Sequence, residues 1–422
     1  HQIDAVHFAL ERIPEGGCIL ADEVGLGKTI EAGLVLAQLV AEGKEKILVL
    51  VPLALAGQWQ AELADLLGVE STVVTRQSWN GGANPFEKPG VYIVGREFAA
   101  GERTLASLRS AGPWDLVVVD EAHEQFSTIY RRFHGDDAAS GQADLERGPA
   151  RRAAKIRETL GRAPYLLLTA TPLQNSLLAL WGLVQYVDPE QSLLGPIEQF
   201  RTLYTADSAG RTINEDRADE LADRLQQIVH RTLRRQAQPF LQYPFTRRTA
   251  LTVNFHMTPT ERRIYDMVAE YLDGGGAAWM GPGARKLVLL GLRRRMGSSM
   301  AALIASLESL RKRVDEAIHG GGDFRVPSSW YDDFDDLDFE DTDDDPFGET
   351  TAVEPQKLVQ ESARLDDVLR EAKRLKKDSK ATAFLELIAK LLSDPSEKIV
   401  VFTESLSTQA DLARRLDEAG FA

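Results

Sequence analysis

The sequence has little of what marks secreted or membrane proteins. It contains one cysteine in 422 residues, so no intrachain disulfide can form. That residue, Cys18, lies in an apolar run, which predicts a small buried hydrophobic side chain. The apolar runs fall far short of the ~20 residues that a membrane-spanning helix needs, and the polar start, His1 to Asp4, lacks the pattern of a signal peptide. We therefore expect a cytoplasmic protein that does not associate with membranes.

The sequence also lacks an excess of basic residues. It has 49 Lys and Arg against 64 Asp and Glu, a net charge of −15, and such a balance by itself argues against a nucleic-acid partner. The excess is partly local, because ten carboxylates and no basic residue lie between Asp332 and Asp345. Arginines cluster elsewhere along the chain, so basic grooves are compatible with this acidic protein.

Short β-branched runs alternate with helical patterns up to about residue 170. This alternation predicts a parallel sheet with crossover helices, a doubly wound α/β fold. Near-continuous apolarity suits strands that are covered on both faces. The expected strands are Gly17 to Ala21, Lys46 to Val51, Val91 to Val94, Asp115 to Val119 and Tyr165 to Thr169.

The pattern changes after Pro172. Residues 172–247 show helical spacing and predict helices that protrude from the sheet domain. Thr249 to Phe255 alternates like a strand, and Thr258 with Glu261 has the spacing of a capping box that begins a helix.

Two later segments differ from their surroundings. Residues 320–351 are rich in Asp and Gly and have little periodicity, which predicts a disordered insertion. Lys398 to Thr403 is a short apolar run that predicts a new buried strand.

A Gly-rich segment follows the first expected strand and opens a helix. Gly25 and Gly27 would let the backbone curl so that successive N–H groups point at a phosphate, and the helix N-terminus adds partial positive charge. Lys28 would reach the β- and γ-phosphate oxygens, and Thr29 would bind magnesium through its hydroxyl. A turn that only caps a helix is the alternative, since Asp22 stands where the strict pattern has glycine. The expected nucleotide-binding residues here are Asp22, Glu23, Gly25, Leu26, Gly27, Lys28, Thr29 and Ile30.

Two adjacent acids, Asp120 and Glu121, follow another expected strand and begin an Asp-Glu-Ala-His sequence that ends at His123. Open α/β sheets bind ligands at the carboxyl ends of their strands. Asp120 would bind magnesium, and Glu121 would orient and deprotonate an attacking water. The start of a solvated loop is the alternative. Together with the lysine-bearing loop, the pair predicts a site for ATP and Mg²⁺ with Lys28, Asp120 and Glu121 as catalytic residues.

This combination resembles the motors of helicase superfamily two and, within them, the Swi/Snf-like double-stranded DNA translocases. Asp22 to Thr29 resembles the phosphate loop of that family, including the acidic residue in place of the first glycine, and Asp120 to His123 resembles its motif II. His1 and Gln2 resemble its adenine-reading glutamine motif. Further similar segments are Val51 to Leu53 with Gln58 and Trp59 (motif Ia), Leu168 to Asn175 (motif III), Arg234 and Arg235 (a Leu-Arg-Arg element) and Lys398 to Ser405 (motif IV).

Residues 249–272 and 293–310 are similar to the bacterial RapA-like (HepA-like) branch, which recycles RNA polymerase, and to antiphage-defence translocases. That branch usually continues motif III as Pro-His-Asn-Gly. Here Pro172 is followed by Leu173, Gln174 and Asn175, as in the chromatin-remodelling branch.

The resemblance implies a RecA-like sheet of the P-loop NTPase type, with helical protrusions and the start of a second RecA-like lobe. Residues 1–247 would form the first ATP-binding lobe, residues 248–395 a linker and helical insertion, and residues 396–422 the beginning of the second lobe. The second lobe supplies arginine fingers in this family, and no such motif follows Thr403. We therefore expect this chain alone to bind nucleotide and hydrolyse it poorly.

His123, Thr169 and Thr171 are expected to couple the acidic site to a nucleic-acid groove, because the two threonines end a strand beside Asp120. Contacts to nucleic acid should be mainly to phosphates, since a translocase steps along any sequence. The candidates are Gln58, Trp59, Arg96, Arg234 and Arg235. The alternatives are solvated arginines and a Trp59 that belongs to the hydrophobic core.

The expected function is that of an ATP- and Mg²⁺-dependent motor that moves along double-stranded DNA and displaces bound protein. RNA polymerase is one candidate target, antiphage defence is another role, and the oligomeric state is open. The alternatives are a strand-separating RNA or DNA helicase and a nucleotide-gated interaction platform. The acidic segment 332–345 is either a solvated insertion or a mimic of DNA that occupies a basic groove of the motor.

Overall fold

A computed structural model describes residues 1–421 with gaps at 80–81, 133–148, 174–175, 208, 241–244, 247–248, 275, 277–281, 320–354, 376, 394–396 and 404. The predicted insertion 320–351, its acidic segment 332–345, and Gln174 and Asn175 lie outside the described residues. The chain divides into two compact units, His1–Arg247 and Arg248–Ala422.

The first unit is built on a parallel sheet. Its strands are β1 (Gly17–Leu20), β2 (Lys46–Val51), β3 (Ser71–Val74), β4 (Gly90–Gly95), β5 (Leu116–Val119), β6 (Tyr165–Leu168) and β7 (Val229–His230). They are ordered β3-β4-β2-β5-β6-β1-β7, and every pairing is parallel. The predicted doubly wound α/β fold is confirmed. Four of the five expected strands are one residue off at one or both ends, and β3 and β7 were not expected.

Helices precede, connect and follow these strands. They are α1 (Gln2–Arg12), α2 (Lys28–Ala41), α3 (Ala56–Leu67), α4 (Arg96–Ala99), α5 (Glu102–Ala111), α6 (Ala122–Gln125), α7 (Pro149–Leu160), α8 (Leu177–Val187), α9 (Ile197–Tyr204), α10 (Ala218–Leu225) and α11 (Arg234–Ala237). The helix predicted after Pro172 is present as α8, but all of its residues are buried and its side chains join a core of the sheet, so α8 does not fit the predicted protrusion.

The sheet separates two hydrophobic cores because successive strand residues face opposite sides. Ile19 and Leu167 belong to one core, together with side chains of α5, α7, α8 and α9. Cys18 and Leu166 belong to the other, together with side chains of α1, α2 and α3. Cys18 is fully buried, as predicted.

The second unit is helical in the described residues, with α12 (Pro259–Asp273), α13 (Pro282–Ser298), α14 (Met300–His319), α15 (Pro355–Lys373), α16 (Ser379–Leu391) and α17 (Leu406–Glu418). Apolar side chains of α12, α13, α14 and α15 share one core. Within the part of the chain that the structure describes, no helix is both long and apolar enough to cross a membrane.

Two predicted strands are wrong. Thr249 to Phe255 and Lys398 to Thr403 have no regular secondary structure, and the side chains of Val400 and Phe402 are 74% and 91% exposed. A strand is stable only when neighbouring strands satisfy its backbone N–H and C=O groups. Neither segment pairs with a strand among the described residues, so an apolar sequence alone did not make either of them a strand.

The predicted capping box at Thr258 is confirmed, and it also joins two helices. Thr258 Oγ1 accepts a hydrogen bond from Glu261 N (3.2 Å), and Thr258 N donates to Glu261 Oε2 (2.6 Å). The buried Glu261 carboxylate further accepts bonds from the Ser379 amide and hydroxyl, both at 2.6 Å. One carboxylate therefore fixes the start of α12 and the start of α16.

Replacing Thr258 with Ala is expected to weaken the start of α12, because the Glu261 amide loses its acceptor. The expected cost is ~1 kcal/mol, a typical value for a lost N-cap. Native-state hydrogen exchange of the α12 amides in the full chain measures it. The exposed Thr260→Ala, two residues along the same helix, is the matched control. Equal α12 protection in the two variants would contradict the prediction.

Candidate active site

The strand order brings the predicted motifs to neighbouring positions. β5, β6 and β1 are adjacent in the sheet and parallel, so their carboxyl ends lie along one edge. Asp120 follows β5, Thr169 follows β6, and the Gly-rich loop of residues 22–27, here called the phosphate loop, follows β1. Side chains far apart in sequence therefore face one region of the sheet edge.

The phosphate loop has the backbone that its sequence predicts. Gly25 and Gly27 have φ values of 84° and 95°, which lie in the region that favours glycine. The Lys28 ammonium folds back on the loop and donates a hydrogen bond to the Asp22 carbonyl oxygen (2.8 Å). Gly27 caps α2 without a side-chain hydrogen bond, so the first amides of α2 have no side-chain acceptor at the cap and can bind an anion.

The N-terminal residues contact the same loop. Gln2 Nε2 donates a hydrogen bond to the Leu26 carbonyl oxygen (3.0 Å), and His1 Nε2 lies 3.2 Å from that oxygen. A Cβ atom at Gly27 would clash with Gln2 Nε2. Gln2, predicted to read adenine, thus lies against the phosphate loop and supports its backbone.

Asp22 is buried, and one of its carboxylate oxygens binds the segment that follows β7. Asp22 Oδ1 accepts a hydrogen bond from Thr232 N (2.6 Å) and lies 3.4 Å from His230 Nδ1. Burial by itself would raise the pKa of Asp22, but the His230 ring and the Thr232 amide lower it below its ordinary value. The side chain at the position of the first motif glycine therefore binds the segment after β7.

Glu31 is a second buried acid beneath the loop, in the first turn of α2. Neither of its carboxyl oxygens forms a hydrogen bond of ordinary geometry, and the Asp22 carboxylate is the neighbouring group that favours a proton on Glu31. Burial, together with the negative charge of Asp22, raises the pKa of Glu31 to about 8. This group was missed in the sequence, although an acid beside Ile30, Ala32 and Gly33 on a helix that faces a core is itself a signal.

Asp120 has both carboxylate oxygens engaged within the protein. Trp59 Nε1 donates a hydrogen bond to Asp120 Oδ2 (2.8 Å), and Glu121 N donates to Asp120 Oδ1 (2.9 Å). Trp59 is 2% exposed. The indole thus fixes the orientation of the carboxylate that is predicted to bind magnesium.

Glu121 has an uncommon backbone conformation that Arg96 supports. Its φ and ψ are both 46°, left-handed values that cost a residue with a side chain about 1–2 kcal/mol. Arg96 Nη1 donates a hydrogen bond to the Glu121 carbonyl oxygen (3.0 Å), and Arg96 Nη2 pairs with Glu124. The guanidinium is thereby positioned to hold the strained turn that presents the Glu121 side chain.

The Glu121 carboxyl lies among several charges. Burial and the charge of Asp120 raise its pKa, while His123 and Lys28 act in the opposite direction. The influence of Lys28 means that the phosphate loop and the acidic pair share one electrostatic environment. A raised pKa suits a group that is to accept a proton from water.

His123 connects two strand ends. Its Nδ1 lies 2.9 Å from Thr169 Oγ1 and 3.3 Å from Glu121 Oε2. A protonated Nδ1 donates to one of these oxygens, and an unprotonated Nδ1 accepts from the Thr169 hydroxyl. Thr169 Oγ1 also accepts a bond from Thr171 N (3.1 Å). A continuous polar path therefore runs from Glu121 to Thr171.

The predicted nucleic-acid contacts have different surroundings. Trp59 and Arg96 are buried, 2% and 4% exposed, and they hydrogen-bond to Asp120 and Glu121, which favours the core alternative for Trp59 and a structural role for Arg96. Their positions in the sequence could not reveal the hydrogen bonds to Asp120 and Glu121. Gln58 and Arg235 are exposed and remain predictions. Arg234 donates to the Val24 carbonyl oxygen of the phosphate loop.

The described residues fit a magnesium-bound nucleotide. The loop curls at two glycines whose positive φ values a residue with a side chain rarely adopts. The start of α2 has no side-chain cap. Thr29 and Asp120 offer the hard oxygen ligands that Mg²⁺ prefers. Glu23, Leu26 and Ile30 belong to the loop and the first turn of α2 that surround this position.

Glu31 predicts a pH dependence of stability. Its folded-state pKa of about 8 exceeds the ordinary 4.5, so between these values the folded state keeps a proton that the unfolded state has lost. Stability contributed by this group is present below the unfolded pKa and is lost as pH rises through the folded one. We expect the melting temperature of the wild type, measured as its difference from that of the Glu31→Gln variant, to decrease as the pH rises from 5 to 8.

Melting curves of the full chain across that pH range measure this difference. Glu42→Gln, at the exposed end of α2, is the matched control and should follow the wild type. Parallel curves for the wild type and Glu31→Gln would show that Glu31 does not retain its proton.

Arg96→Met tests the role of the buried guanidinium. Methionine replaces the aliphatic part of the arginine side chain. It leaves the Glu121 carbonyl and the Glu124 carboxylate without their charged donor. The expected loss of stability is about 1–3 kcal/mol, with duplex-DNA affinity unchanged. Urea unfolding and DNA titration measure the two effects, and Arg109→Met, at an exposed arginine of α5, should be within about 0.5 kcal/mol of the wild type. Weaker DNA binding at full stability would instead favour the nucleic-acid role.

Comparison with known proteins agrees with the motif resemblance. The family model of the SNF2-related domain matches residues 1–128 and 144–316. The uncharacterized ATP-dependent helicase YqhH of Bacillus subtilis is 24% identical over 423 residues, covering 100% of this chain and 60% of YqhH. The RNA polymerase-associated protein RapA of Stutzerimonas stutzeri is 30% identical over 238 residues, covering 55% of this chain and 23% of RapA.

Among solved structures, the SWI2/SNF2 ATPase core domain of Sulfolobus solfataricus is similar with a TM-score of 0.44 and 20% identity, covering 76% of this chain and 58% of that one. The same core in complex with dsDNA gives a TM-score of 0.43 and 18% identity, with 76% and 59% covered. The chain thus spans about 60% or less of the relatives named here. Since the family model matches more than half of its residues, the chain belongs to the SNF2-related family, the Swi/Snf-like branch of helicase superfamily two.

Proposed function

We propose that this protein is an ATP- and Mg²⁺-dependent motor that translocates on double-stranded DNA and displaces or remodels bound protein. The observation that carries the proposal is the convergence of three motifs on adjacent strand ends. The Lys28 loop, the Asp120–Glu121 pair and Thr169 follow β1, β5 and β6, which are neighbours in one sheet. Membership of the SNF2-related family supports ATP as the substrate.

Each residue then has a defined task. Lys28 exchanges its bond to the Asp22 carbonyl for the β- and γ-phosphate oxygens, and the amides at the start of α2 bind the same phosphates. Thr29 and Asp120 would hold magnesium, which would supply positive charge next to the phosphates. Glu121 orients water and accepts its proton, and its raised pKa favours that proton transfer.

The polar path from Glu121 through His123 to Thr169 and Thr171 supports a coupling role for motif III. A change at Glu121 alters the partner of His123 Nδ1, which is within hydrogen-bond distance of Thr169 Oγ1. Thr171 N is bonded to that same oxygen. We infer that the state of the nucleotide is passed along these bonds toward Thr171, an exposed residue after β6.

The relatives suggest the target. RapA carries the description of an RNA polymerase-associated protein, and we propose RNA polymerase, or another protein on bacterial DNA, as what the motor displaces in the cytoplasm. A defence role would use the same site chemistry. Gln58 and Arg235, both exposed, remain the proposed contacts to DNA phosphates.

Glu121→Gln is expected to lower the ATPase rate of the full-length protein by about 10²–10⁴-fold, the usual contribution of a general base. Nucleotide should still bind, because Lys28 and the loop are unchanged. Steady-state hydrolysis and titration with a fluorescent ATP analogue measure the two effects. Glu102→Gln, the same change at an exposed carboxylate, should hydrolyse at the wild-type rate. A normal ATPase rate in the Glu121→Gln variant would show that Glu121 is not the general base.

The polymer is tested in the same assay with duplex DNA, single-stranded DNA and RNA. We expect duplex DNA to stimulate hydrolysis most and the protein to displace a site-specific DNA-binding protein from it. Stronger stimulation by single-stranded RNA would indicate an RNA helicase instead. Unchanged cellular function of both Lys28→Ala and Glu121→Gln would indicate an interaction platform that does not need hydrolysis.

A further inference from the structure

The phosphate loop is bound along its outer side by a segment about 210 residues later in the chain. Residues 230–234, here called the loop strap, leave β7 beside β1 and continue along the loop. Ala21 N donates to the His230 carbonyl oxygen (2.7 Å), and Glu23 N donates to the Thr232 carbonyl oxygen (3.1 Å). The parallel pairing of β1 with β7 therefore extends beyond the strands into the loop.

Two acidic side chains of the loop also bind backbone amides of the loop strap. The Asp22 carboxylate accepts the Thr232 amide (2.6 Å), and the Glu23 carboxylate accepts the Arg234 amide. The first glycine of the strict phosphate-loop pattern would offer no acceptor to Thr232. The acidic residue at position 22 is thus explained by a bond to the strap.

Arg234 holds the turn of the loop itself. Its Nε and Nη2 both donate to the Val24 carbonyl oxygen, at 2.8 and 2.6 Å. On its other side the guanidinium lies over the Phe245 ring, 4.9 Å from the centroid. A Cβ atom at Gly25 would come within 3.3 Å of Arg234 Nη2. Arg234 is therefore enclosed between an aromatic ring and the loop backbone.

We propose that Arg234 is a positioning residue that holds the phosphate loop in its nucleotide-binding conformation. This inference rests on the proposed function only in taking a nucleotide as the ligand of the loop. It replaces the prediction that Arg234 contacts nucleic acid, since both donors that face the loop are already used. Loss of the Arg234 bonds lowers the fraction of protein whose phosphate loop can bind nucleotide. The apparent Kd for nucleotide rises in inverse proportion to that fraction.

Arg234→Ala is expected to raise the Kd for a fluorescent ATP analogue about tenfold, or about 1.4 kcal/mol. The KM for ATP should rise similarly, while kcat at saturating ATP stays within about twofold because Asp120 and Glu121 are untouched. Arg234→Lys, which keeps one donor, should recover part of the affinity. Duplex-DNA affinity should not change.

Arg231→Ala is the matched control, because Arg231 belongs to the strap and its side chain is exposed. Its nucleotide affinity should equal that of the wild type. Asp22→Gly removes a second, independent contact between the loop and the loop strap, because the Thr232 amide loses its side-chain acceptor. The same change restores the strict loop pattern. It should weaken nucleotide binding in the same direction.

Hydrogen exchange of the loop amides without nucleotide separates this inference from the proposed function. Arg234→Ala should increase exchange at residues 23–27 in full-length protein with an unchanged melting temperature. Wild-type nucleotide affinity together with unchanged loop exchange would overturn the inference and leave the proposed function intact. Reduced DNA affinity at normal nucleotide affinity would also overturn it. A wild-type protein that binds no ATP analogue would overturn the proposed function, and the nucleotide role of Arg234 with it.

Discussion

Parallel hydrogen bonding between β1 and its two neighbours is the constraint on which the site depends. β6 lies on one side of β1 and β7 on the other, so the phosphate loop that leaves β1 is flanked by two other strand ends. The side toward β6 leads to Thr169, His123 and the acidic pair. The side toward β7 leads to the strap. A shift of one register position would move every one of these residues relative to the loop, because a strand alternates its two faces.

Burial of charge explains much of what surrounds the loop. Asp22 and Glu31 are both buried beside the loop that we propose to bind the phosphates of a nucleotide. Two ionised carboxylates there would be costly to desolvate and would repel phosphate. The pKa values move in opposite directions, lowered for Asp22 and raised to about 8 for Glu31. Near neutral pH one carboxyl is therefore ionised and bonded to the strap, and the other is neutral.

Local patterns predicted the elements that bear the chemistry, and they failed where tertiary pairing decides. The glycines, Lys28 and the acidic pair are contiguous motifs after apolar strands, so they could be placed from sequence. Lys398 to Thr403 has the composition of a strand, but composition does not supply the neighbour that a strand must pair with. Trp59 and Arg96 were assigned to a surface because sequence does not report burial, and their hydrogen bonds to Asp120 and Glu121 span 61 and 25 residues.

The same limit applies to the Leu-Arg-Arg element, and it changes how the acidic residue at the start of the loop is understood. A departure from the strict glycine pattern looks like a defect when the loop is considered alone. With Thr232 and Arg234 in place, the loop gains bonds from a second segment on the β7 side of β1. A loop that depends on two segments is preorganised only when both are folded. The proposed phosphate-binding conformation thus depends on the segment after β7 as well as on the Gly-rich sequence.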